Sequence, residues 1–101
     1  MLIVIARISA TAEAIDALTP AIAAMEAASR EEPGCHEYTF CRELNEPNTI
    51  KIVEQWESAD ALKAHFAMPH MATFQAEMGK HDLGGVEVRA FEASEVPFPP
   101  A

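Results

Sequence analysis

The sequence is poor in the residues that many functional classes require. Seven Lys and Arg stand against sixteen Asp and Glu, a formal net charge of −9. Nucleic acids and anionic membranes both select basic surfaces, so neither is an expected partner. The acidic balance serves solubility. No apolar run is long enough to span a bilayer, because the N-terminal stretch from Leu2 to Ala6 stops at Arg7. That stretch also lacks the basic start and cleavage site of a secretory signal, and the chain reads as cytoplasmic. Cysteine is limited to Cys35 and Cys41, six positions apart in one strand-like segment. In a regular strand they share a face and stand roughly 20 Å apart. A disulfide needs Cα atoms within about 7 Å, so two free thiols are expected. No CxxC or HxH spacing supports a metal, and no GxGxxG, phosphate-binding loop or HExxH supports a cofactor.

What is present is apolar. Half of the 101 residues are hydrophobic, which excludes a disordered chain. The length implies one domain, residues 1–101, with a core small enough that a second copy would help to complete it. Leu2 to Ile8 reads as a strand, apolar on both faces. Ile15, Leu18, Ile22 and Met25 form a helical stripe with Thr11 as N-cap. Pro20 interrupts that stripe and implies a kink or a restart at Thr19–Pro20. Pro33–Gly34 ends the element. Cys35 to Leu44 and Thr49 to Glu57 read as a hairpin, with His36, Tyr38 and Phe40 on one face of the first strand. On the second strand Ile50, Ile52, Glu54 and Trp56 share a face. Ser58 caps a short helix to Ala67, Pro69 breaks it, and a further turn carries Met71, Phe74 and Met78. Val86 to Glu92 is a last strand, and residues 94–101 form an extended Pro-rich tail. The order β-α-β-β-α-β predicts an α+β, ferredoxin-like split βαβ sandwich.

Four segments carry a family resemblance: Leu2–Ala6, Glu32–Tyr38 (Glu-Pro-Gly-Cys-His-Glu-Tyr), Glu54–Ser58, and Ala64–Phe66 running into Pro69–Met71. Together they resemble the antibiotic biosynthesis monooxygenase superfamily, most of all its small bacterial quinol monooxygenases. The likeness runs from Leu2 to about Val88. It implies a homodimeric α/β barrel with two sheets packed face to face. It also implies oxidation of quinols or phenols by dioxygen without metal or flavin. The haem-degrading branch uses an asparagine on the first strand, where this chain has Arg7. Two other functions in the same fold stay open: a non-catalytic dimeric binding or stress-response protein, and an isomerase of a small phosphorylated sugar.

Cofactor-free oxygen chemistry needs a base, an oxyanion partner and a dry pocket, because the substrate anion must itself reduce dioxygen. His65 is the candidate base, since imidazole titrates near neutral pH. Trp56 is the candidate aromatic wall and Tyr38 a candidate donor to a substrate oxygen. Arg7 either pairs with Glu54 or stabilises an oxyanion. His36, Glu54, Phe66 and His70 complete the expected site. The implied partners are a small aromatic substrate, dioxygen and a second copy of the chain.

Overall fold

A computed structural model describes residues 1–100. Seven elements follow in the expected order: β1 (Leu2–Ser9), α1 (Ala12–Arg30), β2 (Cys35–Arg42), β3 (Thr49–Trp56), α2 (Ala59–Phe66), α3 (Pro69–Met78) and β4 (Val86–Glu92). The strands make one antiparallel sheet in the order β2-β3-β1-β4. The helices cover one face, which is the ferredoxin-like α+β arrangement.

Local chemistry sets the boundaries. The Thr11 hydroxyl accepts the Ala14 N–H at 3.1 Å and opens α1. Ser58 does the same for Ala61 at the start of α2. Pro69 occupies the first turn of α3, where its missing N–H costs nothing. Of the two expectations at Pro20, a kink or a restart at Thr19–Pro20, the restart does not occur: α1 is one helix of 19 residues with Pro20 inside it. Pro20 and Asp16, whose carbonyl loses its helical donor, both lie on the exposed side. Solvent there serves the orphaned carbonyl, so the break costs less than it would against the sheet. β2 ends at Arg42 rather than Leu44, and Leu44 is left in solvent.

A β-bulge lies between Cys35 and Glu37: Cys35 pairs with Trp56 and Glu37 with Gln55, so His36 is the extra residue. The bulge shifts the alternation by one. His36 is exposed and leaves the face it was expected to share with Tyr38 and Phe40. The thiols also separate. Cys35 packs on the core side and Cys41 is exposed, so they do not share a face. Both are free.

The core lies between sheet and helices: Val4, Ala6 and Ile8 of β1 meet Met25, Tyr38, Ile52, Trp56, Met71 and Phe74. The other face of β1 is not buried in the single chain. Ile5 retains 39% of its surface, and Phe91 of the adjoining strand 42%. Every residue of β4 is exposed. From residue 93 to 100 the chain has no helix or strand and bends at Phe98–Pro99, with Val96 and Phe98 in solvent.

Candidate active site

Between the core side of the sheet and helices α2 and α3 lies a cavity of about 250 Å³. Val4, Ala6 and Ile8 form its floor, and Phe74 and Met78 part of its roof. Its ionisable side chains are Tyr38, Glu54 and His65, and Gln75 adds an amide. Strand parity explains the selection: Tyr38 and Glu54 are directly paired across β2 and β3 with side chains on the helix face. His65 comes down from α2 onto the same spot, with ring centres 5.3 Å from Tyr38 and 4.7 Å from Trp56. Phe66, Val86 and Val88 line the cavity on its exposed side.

The polar groups of the site are buried or part-buried, and burial shifts them. Burial, aided by nearby Glu54, pushes the Tyr38 phenol well above its usual range, so it remains a hydrogen-bond donor. Burial also raises the Glu54 carboxyl, against the opposing pull of the Trp56 indole N–H, which donates to Oε1 at 2.9 Å. The Cys35 thiol is raised by burial and by the charges of Glu32 and Glu54, which makes it a poor nucleophile.

Behind His65 lies a carboxylate that sequence reasoning did not assign to the site. Glu32 sits in the turn between α1 and β2, and its side chain keeps 4% of its surface. Its Oε2 accepts from His65 Nδ1 and from His70 Nε2, both at 2.7 Å. The turn is pressed onto α2. Gly34 has φ +81°, and a Cβ on it would lie 2.8 Å from Ala61 Cβ. The Gly34 carbonyl accepts the Glu57 N–H at 2.8 Å. The Glu-Pro-Gly triplet was the available signal, since a positive-φ glycine after a proline marks a chain held in one place.

The donor atoms of Glu32, His65 and His70 lie within 4.8 Å of one another, a set that could in composition hold a metal. Nitrogen and oxygen ligands 2.0–2.1 Å from a tetrahedral zinc stand about 3.3 Å apart. The 2.7 Å separations here are instead those of charge-assisted hydrogen bonds.

Of the expected site residues, the fold brings Tyr38, Glu54, His65 and Phe66 to the cavity. His70 joins through Glu32 and does not line it. Trp56 is fully buried behind His65 and does not line the cavity, so it is no wall for a substrate; it holds Glu54 instead. Arg7 is on the opposite face of β1, bonded to Glu43 at 3.0 Å and not to Glu54. Its odd position in the strand decides this, because β1 turns residues 4, 6 and 8 inward. His36 is carried outward by the bulge.

Known proteins share this architecture. A solved Deinococcus radiodurans structure named "putative antibiotic biosynthesis monooxygenase" superposes with a TM-score of 0.87 at 27% identity, covering 96% of each chain. Rv0793 of Mycobacterium tuberculosis gives 0.82 at 26%, over 94% of this chain and 96% of its own. In sequence, an uncharacterized Synechocystis protein is 39% identical over 67 residues, 66% of this chain and 46% of that protein. The Escherichia coli protein named "Probable quinol monooxygenase YgiN" is 31% identical over 70 residues, 61% of this chain and 66% of its own length. The match thus spans about half of the first relative and about two thirds of the second. The family model for antibiotic biosynthesis monooxygenases matches residues 1–77, from the first strand into the last turn of α3, and so contains Glu32, Tyr38, Glu54, His65 and His70. By fold and by sequence, the chain belongs to the antibiotic biosynthesis monooxygenase family.

Proposed function

We propose that the protein is a cofactor-independent monooxygenase of a quinol or phenolic aromatic, working as a homodimer. One observation carries this reading. His65 Nε2 is buried, has no hydrogen-bond partner among the described residues, and belongs to a side chain that lines an apolar cavity. A buried polar atom without a partner is costly unless a ligand supplies one. A substrate hydroxyl is such a partner.

His65 Nε2 takes the hydroxyl proton, and Tyr38 O–H donates to the oxygen left behind. The anion passes one electron to dioxygen, and the two radicals join in a C–O bond. Loss of water leaves one oxygen atom on the ring. For a hydroquinone the products are a hydroxyquinone and water, so the substrate supplies every electron. The apolar floor keeps the anion from bulk water. Apolar groups left bare on the outer face of the sheet, Ile5 and Phe91, support the second copy.

The phosphosugar isomerase reading has less support: no lysine or arginine lines the cavity among the described residues, so a phosphate finds no cation there. Oxygen uptake on metal-free protein with a panel of hydroquinones tests the proposal. His65→Ala, folded by circular dichroism, should lose about 10²–10⁴-fold in turnover. If the variant matches the parent above autoxidation, His65 is structural and a ligand-binding role replaces catalysis.

A further inference from the structure

A carboxylate sunk in a protein interior is unfavourable unless it is hydrogen-bonded and paired. Glu32 is both through Oε2, whose partners are specific, while Oε1 is buried without a partner among the described residues. An ionised carboxylate only accepts; with Glu32 in that state, the nitrogens facing Oε2, His65 Nδ1 and His70 Nε2, each carry a hydrogen. On a neutral His65 the lone pair then falls on Nε2, the atom that is buried without a partner. We infer that Glu32 is the positioning residue of this site. It fixes the Nδ1–H tautomer of His65, aims Nε2 at the substrate and offsets the positive charge that the ring gains with the proton. His70 is the clamp that holds the carboxylate in place. The catalytic part of this inference rests on the monooxygenase reading, whereas the tautomer does not.

Three separate elements converge to build the cluster, which is more than a chance surface pairing provides. The Pro33–Gly34 turn delivers Glu32, and Gly34 leaves no room for a Cβ against α2. α2 delivers His65 and α3 delivers His70. In an unbroken helix, residues five apart point about 140° away from each other. The break before Pro69 lets both imidazoles reach one oxygen. The interruption of the second helix is thus what assembles the cluster. His70 remains part-exposed, at 23% of its side-chain surface, so it can be replaced without opening the core. Glu32 does not line the cavity, and its effect on substrate passes through His65 alone.

The test uses the full chain and three variants, Glu32→Gln, His70→Ala and the reference His65→Ala. Nitrogen-15 spectra of the imidazole side chains of the unliganded parent should show His65 protonated at Nδ1 and bare at Nε2. Glu32→Gln keeps the shape of the side chain and removes its charge. Its kcat should fall about 10- to 100-fold, the range for groups that orient a functional imidazole. KM for the same hydroquinone should stay within about twofold, which a collapsed site would not allow. His70→Ala should give a smaller loss in kcat with the same unchanged KM, and it carries the test if Glu32→Gln fails to fold. A parent His65 protonated at Nε2 overturns the inference. So does full kcat in folded Glu32→Gln and His70→Ala while His65→Ala is inactive; the base reading then survives alone. Stoichiometric zinc binding by calorimetry, lost in both cluster variants, would also overturn it by making the cluster a metal site. A parent that oxidises no quinol yet shows the Nδ1–H tautomer refutes the enzyme reading and leaves the positioning geometry standing.

Discussion

On the helix-covered face of the sheet, polar side chains are few and held by named partners; on the open face they are more numerous, and Arg7 and Lys51 among them are exposed. Glu54 and Tyr38 sit directly across from each other on the covered face, with the Trp56 N–H and His65 against them. Arg7 sits on the open face of β1, next to Lys51 and Glu87 in the ladder, with Glu43 as its ion partner. The Arg7 side chain keeps 46% of its surface, and an ion pair that wet adds little. A charge in an apolar strand therefore means chemistry or solubility according to strand parity alone. The open face has the opposite peculiarity: its apolar side chains, Ile5 and Phe91, lack a cover.

The strongest way to break this comparison is to charge the open face. Ile5→Glu places a carboxylate at the centre of the expected dimer interface, twice if the interface is isologous. An unpaired buried charge costs several kcal/mol, and 1.4 kcal/mol is tenfold in affinity. The dimer should weaken by at least about 100-fold while the far-ultraviolet circular dichroism of the fold is retained. Sedimentation at micromolar concentration decides it. A parent that is itself a stable monomer, or a variant that remains dimeric, removes the homodimer from the reading.

A smaller effect is expected from the covered side, at the turn that carries Glu32. Gly34→Ala forces an L side chain into the left-handed region, which costs about 1–3 kcal/mol. Its Cβ also meets Ala61 Cβ at 2.8 Å. Urea unfolding should show that loss, and turnover should fall because Glu32 shifts from under His65. Gly85→Ala is the matched control, since nothing lies within 4 Å of a Cβ there. Equal stability of the two variants would mean that the turn does not hold the site.

Much of the fold was legible because the elements are strongly periodic. Ile15, Leu18 and Met25 at helical spacing, and Ile50, Ile52, Glu54 and Trp56 at strand spacing, all proved to face inward. The site was half legible. Alternation placed Glu54, and the motif around Phe66 placed His65, but a bulge has no period. One extra residue at His36 reversed the expected faces of His36 and Cys35. Glu32 stayed hidden for a different reason. It lies in a turn, where acidic residues are ordinarily solvated, and only its two distant histidine partners explain its burial. Trp56 was misjudged because a tryptophan at a strand end satisfies its N–H by the shortest route, here Glu54 two residues back.

The finest prediction concerns the carboxylate held on the covered face. Burial raises the Glu54 carboxyl above its ordinary value, in spite of the opposing indole N–H and the pull of His65. A carboxyl raised on folding binds its proton more tightly in the native state than in the unfolded chain. Its contribution to stability is therefore fully present below the unfolded value of about 4.3 and is lost as pH rises through the native one. At neutral pH the ionised side chain works against the fold. Glu54→Gln keeps the shape and an oxygen for the Trp56 N–H, and removes the ionisation. The variant should melt above the parent at neutral pH, and the gap should close as pH falls to about 4. Thermal melts of parent and Glu54→Gln at the two pH values make the comparison. If Glu54→Gln melts below the parent at neutral pH, its carboxylate is stabilised by its surroundings, and the dry character of the cavity wall is wrong.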